Sequence, residues 1–152
     1  ASVLAMMGAF DLVGTTLSGY LSDRYDNRKL LFWYYGLRGL SLFWLPHSTF
    51  TIVGLSLFAV FYGLDWVATV PPTVRLTSNA FDKQRAPMIF GWIFAGHQLG
   101  GAVAAYGAGL TRTVMQSYSP ALYAAGVTCL VAAVAIFLLE RPTTVAVPAR
   151  AS

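Results

Sequence analysis

A few polar side chains lie deep inside stretches of sequence that are otherwise apolar, and these residues could do chemistry. They are Asp11, Arg38, Asp65 and the neighbouring pair His97 and Gln98. An ionisable side chain is costly at membrane depth, so it is expected to face a cavity or a partner. A carboxyl group in a medium of low dielectric constant can exchange protons near neutral pH, and a guanidinium group binds carboxylates through two hydrogen bonds. These side chains therefore predict a path for protons or for a small anionic solute.

Each of these side chains also has a purely structural interpretation, which the sequence leaves open. Asp11 could bond a neighbouring helix, and Arg38 could pair with Asp11 or with a backbone carbonyl group. Asp65 could form a salt bridge with Arg75 or Arg38, and His97 could be an ordinary hydrogen-bonding residue. A transport role predicts that these side chains line a water-accessible cleft, whereas a structural role predicts that they are fully paired.

The composition indicates that lipid, not water, is the solvent of most of this chain. Of its 152 residues, 57% are hydrophobic and 11% are charged, whereas soluble domains carry about 25% charged residues. The single cysteine, Cys129, excludes an internal disulfide. Signatures of metalloproteases, serine hydrolases and phosphate-binding loops are missing, so neither an enzyme nor a metal or cofactor site is predicted. The net charge of +4 is spread over loops and does not indicate a nucleic-acid surface.

Five apolar stretches are each about long enough to cross a bilayer as a helix. They cover residues 2–21, 30–45, 51–76, 87–110 and 120–139. Pro71 and Pro72 interrupt the third stretch, and a proline pair removes backbone donors and should bend a helix. Residues 1–141 are thus predicted to form an all-α, polytopic membrane bundle, and residues 142–152 a disordered tail. Because the chain begins at Ala1 inside an apolar stretch, we expect a longer protein.

The basic residues of the loops predict one orientation in the membrane. Most of them fall in the first loop, in the third loop and in the tail: Arg24, Arg28, Lys29, Lys83, Arg85, Arg141 and Arg150. The fourth loop has only Arg112, and the second has no lysine or arginine. The positive-inside rule therefore places loops one and three and the C-terminus in the cytoplasm of a multi-pass protein of the inner or plasma membrane.

The first loop is a charged segment that runs from Gly19 to Leu30, and it resembles the cytoplasmic loop signature of the major facilitator superfamily, G-x-L-x-D-R-x-G-R-K-x-L. The loop residues that carry the resemblance are Gly19, Asp23, Arg24, Arg28 and Lys29, of which Arg24 and Arg28 stand at basic positions of the pattern. The resemblance implies that Gly19 lets two helices approach closely. It also implies that Asp23 bonds the N-terminus of a neighbouring helix and stabilises the outward-facing state.

The resemblance also implies where this chain lies in a twelve-helix transporter. Asp26 and Asn27 stand where the superfamily pattern has glycine and arginine, as is typical of its second copy between helices eight and nine. Five spans followed by a short polar tail then correspond to helices 8–12, the C-terminal part of such a transporter. The missing N-terminal bundle of the same protein is an expected partner.

Asp11 lies eight residues before Gly19, and this spacing is similar to that of bacterial monocarboxylate porters of the superfamily, which use such an acidic residue in proton coupling. Those porters carry an arginine four residues after the acid, where this sequence has Thr15. The resemblance implies a secondary transporter that moves a small organic anion by alternating access, coupled to protons. The alternatives are a drug or metabolite efflux member, a membrane scaffold subunit that transports nothing, and an intramembrane enzyme.

Overall fold

A computed structural model describes residues 2–48 and 52–139 of the protein, and helices are the only regular elements in these two ranges. They are α1 (Ser2–Ser22), α2 (Asn27–Trp44), α3 (Ile52–Asp65), α4 (Val70–Ala80), α5 (Ala86–Met115) and α6 (Ser119–Leu138), with a short 3₁₀ helix at Leu45–His47. The predicted all-α class is confirmed. The tail at 142–152 lies outside the described residues.

Prolines and one aspartate determine where several helices begin. Asp26 is the N-cap of α2, and its side-chain oxygen accepts a hydrogen bond from the backbone N–H of Arg28 at 3.0 Å. Pro71, Pro87 and Pro120 lie in the first turns of α4, α5 and α6, where a missing N–H costs no intrahelical bond. The departure from the superfamily loop pattern at position 26 therefore has a structural use, since aspartate is a strong helix cap.

Three helices in the described part of the chain are long and apolar enough to cross a membrane. These are Val53–Ala80, which joins α3 and α4, and the helices Ala86–Met115 and Ser119–Leu138. The helices α1 and α2 each carry an ionisable residue near the middle, Asp11 and Arg38 respectively. Their polar side chains must be satisfied by neighbouring helices, because lipid offers them no hydrogen bonds.

The helices pack in two main pairs, α1 with α3 and α2 with α6. The first pair meets at Gly14 and Gly63. A Cβ added to Gly14 would overlap the backbone of Leu64, and a Cβ added to Gly63 would lie 2.7 Å from the carbonyl oxygen of Met7. Glycine therefore allows these two backbones to touch, as is common where membrane helices associate.

The second pair, α2 with α6, meets at Gly39 and Gly126. A Cβ added to Gly39 would lie 3.1 Å from the carbonyl oxygen of Gly126 and 3.1 Å from the side chain of Leu130. A Cβ added to Gly126 would lie 2.9 Å from the ring of Phe43. These contacts are tight but less severe than those of the first pair, because side chains can move to relieve part of them.

We expect Gly39→Leu to destabilise the α2–α6 pair by about 1–3 kcal/mol, the usual cost of overpacking a tight contact. The measurement is thermal unfolding of the purified protein in detergent. Gly36→Leu is the matched control, since Gly36 lies on the same helix and a Cβ there meets no described atom within 4 Å. Equal melting temperatures for the two variants would contradict the predicted close contact.

Candidate functional site

The third span is interrupted at residues 66–69, between the end of α3 at Asp65 and the start of α4 at Val70. The helical hydrogen-bond pattern fails there. The N–H of Trp66 bonds to the carbonyl of Gly63, and the N–H of Val70 bonds to the carbonyl of Val67, three residues back in each case. Backbone groups freed at membrane depth must find other partners. We call residues 66–69 the joint.

Arg38 of α2 provides partners on the α3 side of the joint. Its Nε donates to Asp65 Oδ2 at 2.8 Å, and the two side chains are only 13% and 9% exposed. Its Nη2 donates to the carbonyl oxygens of Asp65 and Trp66, the second at 3.1 Å. Arg38 thus neutralises a buried carboxylate and satisfies two carbonyl groups at the end of α3.

Asp11 and Ser18 of α1 provide the remaining partners. Asp11 Oδ1 accepts the N–H of Val67 at 3.0 Å and is also contacted by the hydroxyl of Thr15 at 3.4 Å. Ser18 Oγ donates to the carbonyl oxygen of Ala68 at 2.5 Å. The structure therefore brings Asp11, Arg38 and Asp65 together around one interrupted helix. Apart from Oδ1 of Asp65, the buried groups of these side chains are paired with one another or with backbone in the described ranges, which is the arrangement that the structural interpretation predicts.

The joint and its partners include the most deeply buried residues of the described chain. Ser18 and Ala68 are 0% exposed, and Pro72 is also fully buried. Asp65 is 7% exposed, and among the described residues its Oδ1 atom has no hydrogen-bond partner. A buried carboxylate oxygen without a donor is costly, and this atom is the one buried polar atom of the Arg38–Asp65 pair that the described residues leave unsatisfied.

His97 and Gln98 do not join this cluster. Both are exposed on α5, a helix that packs against α4 and α6 and whose residues 91–106 are all exposed in this chain. The ring of His97 lies 6.3 Å from that of Phe94 on the same helix. Both side chains are therefore accessible to any part of the protein or the lipid that packs on α5.

The charged loop connects α1 to α4 and to the end of α6. Asp23 forms an ion pair with the side chain of Arg75 on α4, and the guanidinium of Arg24 lies 4.3 Å from the ring centre of Tyr20. Arg28 donates to the carbonyl oxygen of Leu139. Lys29 is exposed. Asp23 thus pairs with an arginine side chain within this chain, and the contact with a helix N-terminus that the resemblance implies stays a prediction.

Among the described residues nothing approaches Gly19 closely, so the close helix contact expected there stays a prediction. A Cβ added to Gly19 would meet no described atom within 4 Å, whereas Gly14, five residues earlier, touches the backbone of Leu64. The physical reason is that five residues of an α-helix correspond to well over one turn, so the two glycines point in different directions.

Sequence reasoning missed Ser18, although a signal for it exists. Asp11, Thr15 and Ser18 follow the spacing i, i+4, i+7, which places all three on one face of α1. A polar stripe of this kind on an apolar helix predicts a partner with exposed backbone groups. In the described ranges no group of three or more histidine, cysteine, aspartate or glutamate side chains could hold a metal ion.

Comparison with known proteins agrees with the charged loop and the membrane helices. The family model of the Major Facilitator Superfamily matches residues 1–152. An "Uncharacterized MFS-type transporter YcxA" of Bacillus subtilis (strain 168) is 29% identical over 124 residues, which cover 76% of this chain and 30% of the relative. No solved structure gives a significant match. The chain thus spans less than a third of the curated relative that it matches. The protein is a multi-pass membrane protein, and the chain belongs to the Major Facilitator Superfamily.

Proposed function

We propose that the protein containing this chain is a secondary active transporter, which moves a small solute across the membrane by alternating access. In this mechanism two helix bundles rock about a site near the middle of the bilayer and expose it to each side in turn. This chain would supply helices 8–12, and the N-terminal bundle of the same protein would supply the other wall of the site. Membership of the superfamily supports a transport role in general.

The observation that carries the coupling proposal is the buried Arg38–Asp65 pair, in which Asp65 Oδ1 has no hydrogen-bond partner among the described residues. A proton taken up at Asp65 Oδ1 turns the carboxylate into a neutral carboxyl group, and Arg38 then keeps its charge without a counterion. A guanidinium in this state binds a carboxylate through two hydrogen bonds. Proton binding and the binding of an organic anion, such as a monocarboxylate, would therefore favour each other, which is the requirement for a symporter.

Asp11 is the second candidate for proton coupling, but its surroundings support the role less well. Its Oδ1 atom already accepts a backbone N–H at 3.0 Å and lies near the hydroxyl of Thr15. Protonation of Asp11 would weaken these contacts without releasing a cation. We therefore place proton binding at Asp65 and assign Asp11 to holding the joint.

His97 and Gln98 are proposed to contact the solute from α5. The exposure of residues 91–106 supports this proposal, because a long helix with so little cover inside this chain must face the rest of the transporter or lipid. The loops at 23–26 and 81–85 and the C-terminus are proposed to lie in the cytoplasm of a plasma-membrane protein. Their basic residues support that orientation.

We expect Asp65→Asn to reduce proton-driven accumulation of a small organic anion at least tenfold while exchange of the anion across the membrane continues. Asparagine keeps the shape of the side chain but cannot gain or lose a proton. The measurement is uptake of a panel of radiolabelled monocarboxylates by vesicles that contain the full-length protein, with and without a pH gradient.

Asp82→Asn is the matched control, because Asp82 is an exposed loop carboxylate that caps its own turn through the N–H groups of Gln84 and Arg85. The control should accumulate solute like the wild type. Accumulation that survives in Asp65→Asn would exclude Asp65 from coupling. A wild-type protein that moves none of the monocarboxylates but expels other compounds would favour the efflux alternative.

A further inference from the structure

We infer that Ser18 is a positioning residue, whose hydroxyl group replaces the N–H that Pro72 lacks and thereby sets the direction of α4. In an uninterrupted helix the carbonyl of Ala68 would accept the N–H of residue 72. Residue 72 is a proline and has no N–H to give. Ser18 Oγ donates to this carbonyl from α1.

The burial of this contact leaves the carbonyl of Ala68 dependent on Ser18. Ser18, Ala68 and Pro72 are all fully buried, so water cannot stand in for the hydroxyl group. A buried carbonyl group without a donor is destabilising, and it is more so within a bilayer. The requirement for a hydroxyl group at position 18 therefore follows from the proline at position 72.

Pro71, the first proline of the pair, creates no such requirement. Its missing N–H would have served the carbonyl of Val67, but that carbonyl already accepts the N–H of Val70 at 2.9 Å. The two adjacent prolines thus differ in their consequences. Of the two missing N–H groups, only the one at Pro72 is compensated from another helix, so replacing Pro72 and replacing Pro71 should have different effects.

A second contact links the same region to α4. Ser18 of α1 contacts Ala68, two positions before α4, and Asp23, one residue beyond the end of α1, pairs with Arg75 in the middle of α4. α4 is thus tied to α1 and to the loop that follows α1.

The test is a double-mutant comparison in the full-length protein, reconstituted in lipid nanodiscs. The variants are Ser18→Ala, Pro72→Ala and the combination of the two, with Pro71→Ala as the matched control. Hydrogen–deuterium exchange of the amides at 66–70 reports on the joint. We expect Ser18→Ala to accelerate exchange there about tenfold or more, while exchange in α6 changes little.

Adding Pro72→Ala to Ser18→Ala should return exchange at 66–70 to within about threefold of the wild type, because alanine supplies the N–H that Ala68 needs. Adding Pro71→Ala to Ser18→Ala should leave exchange at 66–70 as fast as in Ser18→Ala alone. Thermal unfolding of the same variants provides a second measurement with the same expected order. Three results would overturn the inference: both proline substitutions restore slow exchange in Ser18→Ala, neither of them does, or Ser18→Ala alone leaves exchange at 66–70 unchanged. The result does not depend on which solute is transported.

Discussion

Gly14→Val is expected to prevent the protein from folding stably, with a loss of about 3 kcal/mol or more, at the upper end of overpacking costs. A Cβ at position 14 would overlap three backbone atoms of Leu64, its oxygen, its carbonyl carbon and its Cα. Backbone atoms inside a helix cannot turn away as a side chain can. The only relief is separation of α1 from α3, which would also pull Asp11 and Ser18 away from the joint.

The measurement for Gly14→Val is the yield of monodisperse protein in detergent, followed by its melting temperature. Gly8→Val and Gly19→Val are matched controls on the same helix, because a Cβ at either position meets no described atom within 4 Å. Both controls carry the same β-branched residue and therefore the same change in helix propensity. A Gly14→Val protein as stable as the two controls would contradict the α1–α3 contact.

Arg38→Met is expected to destabilise the protein by about 3–5 kcal/mol, the cost of leaving one member of a buried ion pair without its partner. Methionine preserves much of the length of the side chain but removes the charge and every donor. The carboxylate of Asp65 and the carbonyl groups of Asp65 and Trp66 would all lose the contacts that Arg38 makes. The measurement is again thermal unfolding of the full-length protein in detergent.

The double variant Arg38→Met with Asp65→Leu should recover much of the stability lost in Arg38→Met, because no buried charge then remains unpaired. Recovery should be incomplete, since the two carbonyl groups still lack a donor. Arg85→Met is the matched control: Arg85 pairs with Asp82 on the surface, and that side chain is 74% exposed. A double variant as unstable as Arg38→Met alone would show that the lost charge balance is not the cause.

Much of this arrangement could be predicted from local patterns. The apolar stretches predicted an all-α membrane protein, and the proline pair predicted an interruption of the third span. The cost of a charge in lipid predicted that Asp11, Arg38 and Asp65 would have partners, and the pairing of Arg38 with Asp65 was one of the possibilities. These predictions succeed because they depend on what one segment requires of its surroundings, whichever neighbour supplies it.

Local patterns do not choose between neighbours. The loop pattern does not indicate that α1 has its close contact at Gly14, or that Asp23 pairs with Arg75. The role of Ser18 is visible only once the carbonyl of Ala68 is found beside it. Each of these contacts depends on the direction in which a residue faces, and therefore on how the helix is rotated about its axis.

The sequence by itself determined that lipid surrounds this protein, that it is helical and that the carbonyls of Val67 and Ala68 lose their helical donors, because these follow from hydrophobicity and from the missing N–H groups of Pro71 and Pro72. It also determined that several polar groups at membrane depth would need partners. Only the tertiary structure decided which partners they have. The rotation and depth of one helix against another are set by packing at glycines such as Gly14 and Gly63, and no single segment contains that information.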